Sequence, residues 1–192
     1  MAEPIDPALA RRVRLVVLDV DGVMTDGGIY LGATEGGEPV ELKRFDIQDG
    51  LGIRLMKEAG IHVAIVTGRE SHAVRIRAEE LEIDEVHQDR TAAKLKTVTA
   101  MLERLGISWD ETAFIGDDLP DLSILRRVGF PAVVGNATPD ARACARWAAE
   151  KHGGRGAVRE FAEALLTARG VWHERVEAYV AAREAGEDRR AG

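Results

Sequence analysis

The sequence predicts an α/β fold, a doubly wound parallel sheet with helices on both faces. Three observations lead there. Short apolar runs alternate with segments of helical periodicity, the rhythm of parallel strands joined by crossover helices. The main runs are continuously apolar, as strands buried on both faces are, and they end in turns rich in glycine or acidic residues. Finally, 192 residues with 45% hydrophobic and 31% charged side chains suffice for one well-buried core and are few for two. A single domain is expected over residues 1–185, with a β-hairpin insertion at 28–45 and a disordered tail at 186–192.

The first strand, Val13-Arg14-Leu15-Val16-Val17-Leu18, ends abruptly at Asp19-Val20-Asp21-Gly22, so a buried strand stops where a carboxylate cluster begins. In open α/β sheets ligands sit beyond the carboxyl ends of such strands, which sets Asp19 and Asp21 at the mouth of a crevice. Successive side chains leave an extended backbone in opposite directions, so the two carboxylates can take different tasks. Ile29 to Gly32 and Pro39 to Phe45 flank the turn-rich Ala33 to Glu38 and read as the hairpin, which is too small to fold as a lid domain. The crossover helix runs from about Gly50 to Ala59, with Gly60 as its stop.

A second strand, Ile61 to Val66, ends at Thr67-Gly68-Arg69 and leads into a helix from about Ser71 to Leu81. Asp84 to His87 offers a short third strand. Thr91 to Leu105 is a helix, since Leu95, Val98, Leu102 and Leu105 recur at helical spacing ahead of Gly106. Thr112 to Ile115 is the fourth strand; it runs into Gly116-Asp117-Asp118-Leu119-Pro120-Asp121 and a helix to about Val128. Phe130 to Val134 is the fifth. Gly153-Gly154-Arg155-Gly156 reads as a flexible hinge ahead of an amphipathic helix from Ala157 to Ala168, and Val171 to Ala185 as a last helix. The final residues are polar and aperiodic.

A net charge of −7 argues against nucleic acid or an anionic membrane as the main partner, so a phosphate group must be held by local groups. Cys144 is the one cysteine, which excludes an intramolecular disulfide; its expected role is that of a small buried hydrophobe. Trp109, Trp147 and Trp172 are assigned to core or interface. The segment MAEPIDPALARR lacks the apolar centre of a signal peptide and no membrane-length apolar stretch occurs, so a cytoplasmic location is expected.

Three strands thus end in polar clusters, Asp19/Asp21, Thr67 and Asp117/Asp118, and a parallel sheet brings those ends to one edge. A phosphoryl group in transfer needs an in-line nucleophile, neutralisation of its equatorial oxygens and a proton for the leaving alkoxide; this set supplies all of them. An EF-hand loop also opens with Asp-x-Asp, but counted from Asp19 its ligand positions would fall on Val23 and Tyr30. The segment DVDGVMTDG instead resembles the first motif of the haloacid dehalogenase superfamily of phosphotransferases, and GDDLPD its fourth. The resemblance implies a Rossmann-like fold with Asp19 as the nucleophile, forming an aspartyl phosphate, and Asp21 as general acid and then base. Thr67 and the Gly68 amide would bind phosphate oxygens, and Lys94, at a helix start, would be the cation of the third motif. Mg²⁺ would be held by Asp19, the carbonyl of Asp21 and Asp117, a set that suits an octahedral ion which keeps several waters. Acidic residues at a helix start are also common caps, which leaves Asp118 and Asp121 open between two roles.

From Val13 to about Ala168 the chain further resembles the 3-deoxy-D-manno-octulosonate 8-phosphate (KDO 8-phosphate) phosphatases, which lack a cap domain. TDGGIYLG, FDIQDGLGIR, VTGR, IGDDLPD and GGRGAVRE carry the likeness. It implies a sugar-acid phosphate substrate lined by Asp46, Ile47, Gln48, Asp49 and Gly50, with Arg54, Arg69 and Arg77 as further contacts; guanidinium forks suit carboxylate and phosphate. The chain departs from the family at Gln48, where Arg is usual. An amide can bond a sugar hydroxyl but cannot pair with a carboxylate, which keeps the 9-phosphates of nonulosonic acids open as substrates. The resemblance also implies a homotetramer whose hairpins pack together, with neighbouring chains covering each site. Tyr30, Leu31, Val40 and Leu42 supply apolar surface for that, and Arg155 would lie near a neighbour's site. A catalytically silent assembly module is the reading of another class, and the retention of Asp19, Asp21, Thr67, Lys94 and Asp117 argues against it.

Overall fold

The computed structural model describes residues 3–91 and 93–186, so all of the expected tail but Gly186 lies outside the described residues. The chain runs α1 (Pro7–Arg12), β1 (Leu15–Leu18), β2 (Tyr30–Ala33), β3 (Pro39–Leu42), α2 (Ile47–Glu58), β4 (His62–Thr67), α3 (His72–Glu80), β5 (Glu85–Gln88) and α4 (Lys94–Leu105). It continues through β6 (Thr112–Gly116), α5 (Leu122–Leu125), β7 (Phe130–Val133), α6 (Pro139–Cys144), β8 (Trp147–Ala148), α7 (Ala157–Ala168) and α8 (Trp172–Glu184).

Six strands form one parallel sheet in the order β5-β4-β1-β6-β7-β8. The chain steps outward from β1 to β5, returns to the other side of β1 at β6, and steps outward again. That reversal is the switch point of a doubly wound sheet, where a crevice opens beyond the strand ends. Register fixes what lines it: Leu18 pairs with Ile65 on β4 and with Ile115 on β6. Asp19, Thr67 and Asp117 therefore leave the sheet at nearly one level.

Every side chain of β1 is buried. Val16 and Leu18 pack with α1, α2 and α7, while Leu15 and Val17 pack with α4, α5 and α6 on the opposite face. On the first face Phe161 of α7 lies 5.5 Å from the Phe130 ring and 5.4 Å from Trp147, edge-on, which pins α7 over β7 and β8. Helices α2 and α7 approach closely, for a Cβ on Gly52 would stand 2.9 Å from Arg159 Cα. Trp109 and Trp172 are partly buried against the core.

Strands β2 and β3 pair antiparallel, Tyr30 opposite Leu42, and a bridge between Thr25 and Phe45 closes the hairpin at its base. Its apolar residues face solvent, Leu31 most of all at 78% exposed. Among the described residues there is no cap domain, and no helix is long and apolar enough to cross a membrane.

The strands stand close to where the sequence places them, and several other features differ. Helix α2 starts at Ile47 because the Asp46 side chain caps it, accepting from the Gln48 amide at 2.8 Å. Helix α4 starts later, at Lys94, because Asp89 accepts from both the amide and hydroxyl of Thr91 and holds that residue in a turn. The helix after Asp118 is a 3-10 turn followed by a short α-helix that ends at Leu125, short of Val128. Helices α1 and α6 and strand β8, the sixth strand of the sheet, are additional. Cys144 is half-buried at the end of α6 rather than fully buried, because that helix covers the margin of the core. Nor is the Gly153–Gly156 segment a hinge. The Gly153 amide donates to Asn136 Oδ1 (2.6 Å) and the Gly154 amide to the Val23 carbonyl (3.0 Å), and a Cβ on Gly153 would lie 1.8 Å from the Gly22 carbonyl oxygen. These glycines let the chain dock against the first motif.

Candidate active site

Asp19 extends β1 by one residue, its amide donating to the Ile115 carbonyl at 3.0 Å, so the first and fourth motifs are locked to one another by the sheet itself. Its side chain is buried. Oxygens of Asp19, Asp117 and Asp121 lie within 4.8 Å of one another. Lys94 Nζ stands 2.8 Å from both Asp19 Oδ1 and Asp121 Oδ1, so one buried ammonium bridges two of the three carboxylates. The second oxygen of Asp121 accepts from the Asp117 amide at 3.0 Å, which ties Lys94 to the fourth motif. Asp121 makes no capping bond to α5 and is a fully buried member of the cluster. The sequence left that choice open. Gly22 makes the arrangement possible: with φ +89° and a would-be Cβ 2.1 Å from Asp117 Oδ2, it tolerates no side chain on either count.

Burial, then the charge of Asp121, push the Asp19 carboxyl up from its ordinary 3.8 to about 7 against the opposing pull of Lys94. Burial and the neighbouring Asp19, Asp121 and Asp118 push Asp117 to about 7 as well. Asp19 Oδ1, although beside the Lys94 ammonium, has no hydrogen-bond donor directed at it. Crowded, mutually repelling oxygen donors with one orphaned acceptor fit a hard divalent cation, which would relieve both defects.

The Asp21 carboxylate lies outside this group and points to the hairpin, where Oδ1 accepts from the Lys43 ammonium and Oδ2 is 3.7 Å from Arg69 Nε. Thr67 is buried at the end of β4, its hydroxyl accepting from the Arg69 amide at 3.3 Å, and Gly68 follows it. Arg69 pairs with Glu41 of β3 at 2.8 Å. Arg77 reaches from α3 to the Asp46 carbonyl at 3.4 Å and lies over Gly50, where a Cβ would stand 2.4 Å from its Nη2. Ile47 and Gln48 are exposed on the first turn of α2. The Asp49 carboxylate faces the start of α7 instead, accepting from the Arg159 amide at 2.8 Å and the Gly156 amide at 3.4 Å. Helix α7 has no capping side chain of its own. Arg54 engages groups outside the carboxylate cluster, Glu58 at 2.8 Å and the Tyr179 ring of α8 at 5.9 Å. Arg155 is exposed, 4.0 Å from Asp26 of its own chain.

Sequence reasoning missed three participants. Lys43 and Glu41 come from the hairpin, and Asn136 donates to the Gly22 carbonyl at 2.9 Å while accepting from Gly153. Nothing in their local sequence marks them.

The sheet edge and its acidic cluster define the class of haloacid dehalogenase-like hydrolases, and the family model of that description matches residues 88–161. The chain is 42% identical over 163 residues to a 3-deoxy-D-manno-octulosonate 8-phosphate phosphatase of Shigella flexneri, covering 85% of this chain and 84% of that one. The same phosphatase from Moraxella catarrhalis, solved in complex with magnesium ion, phosphate ion and KDO, matches with a TM-score of 0.83 at 38% identity, over 90% of this chain and 97% of that one. A cobalt-bound form from Haemophilus influenzae matches with a TM-score of 0.77 at 32% identity, over 85% and 93%. Within that class the chain belongs to the 3-deoxy-D-manno-octulosonate 8-phosphate phosphatase family.

Proposed function

We propose that the chain is a Mg²⁺-dependent phosphatase that hydrolyses KDO 8-phosphate to KDO and phosphate through an aspartyl phosphate on Asp19. The observation that supports it most is the Asp19, Asp117 and Asp121 cluster bridged by Lys94 at the switch point of the sheet. An Asp19 oxygen attacks phosphorus, the bond from phosphorus to the sugar oxygen breaks, and Asp21 gives that oxygen its proton. Asp21 then takes a proton from water, which attacks the aspartyl phosphate, releases phosphate and restores Asp19. Lys94, the Thr67 hydroxyl and the Gly68 amide hold the equatorial oxygens. Asp19 and Asp117, with the Asp21 carbonyl, would hold Mg²⁺, which when bound shields nucleophile from phosphate. Asp121 acts through Lys94 and the Asp117 amide, keeping both in place.

Asp46, Ile47, Gln48, Asp49, Gly50, Arg54, Arg69 and Arg77 are proposed to line the sugar-acid site. The KDO bound to the Moraxella catarrhalis relative supports that substrate class. Gln48, exposed on the first turn of α2, favours a second reading, a nonulosonic acid 9-phosphate, since the usual guanidinium is missing there. We further propose a single cytoplasmic domain, assembled as a homotetramer through the exposed hairpin. A phosphate-release screen over phosphorylated sugar acids with Mg²⁺ tests the reading. KDO 8-phosphate should exceed the 9-phosphates at least about tenfold in kcat/KM, a difference in transition-state binding of about 1.4 kcal/mol. Turnover of none of them would favour the silent module.

A further inference from the structure

Two lysines bury their side chains at this end of the sheet, one beside Asp19 and one beside Asp21. Lys94 serves Asp19. The other, Lys43, stands just past β3 on the returning leg of the hairpin, and its side chain has no exposed surface although the backbone there is partly open. Lysine is almost never fully buried unless it is paired. Its ammonium contacts Asp21 Oδ1, and Glu41 Oε1 follows at 3.9 Å. The lysine is also fixed in place: the bridge from Thr25 to Phe45 closes the chain immediately beyond it, and Arg69 links Glu41 (2.8 Å) to the Asp21 side (3.7 Å).

An aspartate on a loop, with a quarter of its side chain exposed, has rotamers to choose from unless something selects one. A charge-assisted contact on Oδ1 selects the rotamer and leaves Oδ2 to meet the leaving-group oxygen. Misplacing a reacting group by about 1 Å can cost about a hundredfold in rate. We propose that Lys43 is a positioning residue for Asp21, holding the acid and base of the reaction in its working orientation. The hairpin then completes the active site of its own chain, whatever it does in assembly. This inference rests on the reading of Asp21 as acid and base.

The test is a double-mutant cycle in the full chain with Mg²⁺ and KDO 8-phosphate, read as single-turnover rates with labelled substrate. Lys43→Met keeps side-chain length and removes the ammonium. Alone it should lower kcat by about ten- to a hundredfold, with KM within about threefold and the oligomeric state unchanged. Added to Asp21→Asn, it should cost less than about twofold, because no carboxylate remains to be positioned. An equal cost in both backgrounds, or a kcat within about threefold of wild type, would overturn the proposal. Full turnover by Asp21→Asn alone would overturn the acid-base reading instead, so the two failures are distinguishable. Should Lys43→Met not fold, Lys43→Leu, which likewise has no donor for Asp21, runs the same cycle.

Discussion

At the scale of residues, Asp49 makes the most specific forecast. Its carboxylate does for α7 what a cap would, yet burial raises it from 3.8 to about 6 despite the two amides that favour its charge. The folded chain therefore binds this proton more tightly than the unfolded one, and stability falls as pH rises from about 4 to about 6, levelling off above. Asp49→Asn keeps an acceptor for the Arg159 amide and removes the titration. In urea unfolding across that window, wild type should lose stability relative to Asp49→Asn by a few kcal/mol; a difference that grows in favour of wild type as pH rises contradicts the raised carboxyl. The placing of Asp19, Thr67, Lys94 and Asp117 at one end of the sheet was legible because each stands at a strand or helix end that the apolar pattern locates. Asp121 was ambiguous, since a cap and a buried cluster member look alike in sequence. Lys43 and Asn136 were illegible because their partners are 22 and 114 residues away, and only the fold brings them near.

At the scale of elements, the sheet was legible and its margins were not. Continuous apolar runs such as Leu15–Leu18 and His62–Thr67 announce themselves, whereas Trp147–Ala148 is too short to show any period. Helix α1 had a signal, Asp6 capping the Ala8 amide with Pro7 behind it, but only one turn and a half of chain to express it. The unforeseen β8 matters, for it supplies Trp147 to the ring cluster that seats Phe161. Phe161→Ala should destabilise the chain by about 3–5 kcal/mol, because the two rings that face it, Phe130 and Trp147, leave a cavity that collapses poorly. Equilibrium unfolding in urea would show it, and a loss under about 1 kcal/mol would mean that α7 is not held by this cluster.

For the whole molecule, the question is what covers the apolar hairpin. Tyr30, Leu31 and Leu42 are exposed on the hairpin, apolar surface that a single chain of this size leaves bare. A closed assembly would bury it. If the proposed tetramer forms through this surface, Leu31→Asp should sediment as a smaller species than wild type while leaving the Asp19 cluster intact; a wild type that sediments as a monomer would contradict the assembly.

The central claim is that Asp19 attacks phosphorus, and its side chain offers the most direct measurement. Asp19→Asn has nearly the same shape but is a far poorer nucleophile. Phosphate release from KDO 8-phosphate should fall at least about a thousandfold in Asp19→Asn, and wild type should lose activity to a chelator and regain it with Mg²⁺. Turnover by Asp19→Asn within about tenfold of wild type would contradict the aspartyl-phosphate mechanism.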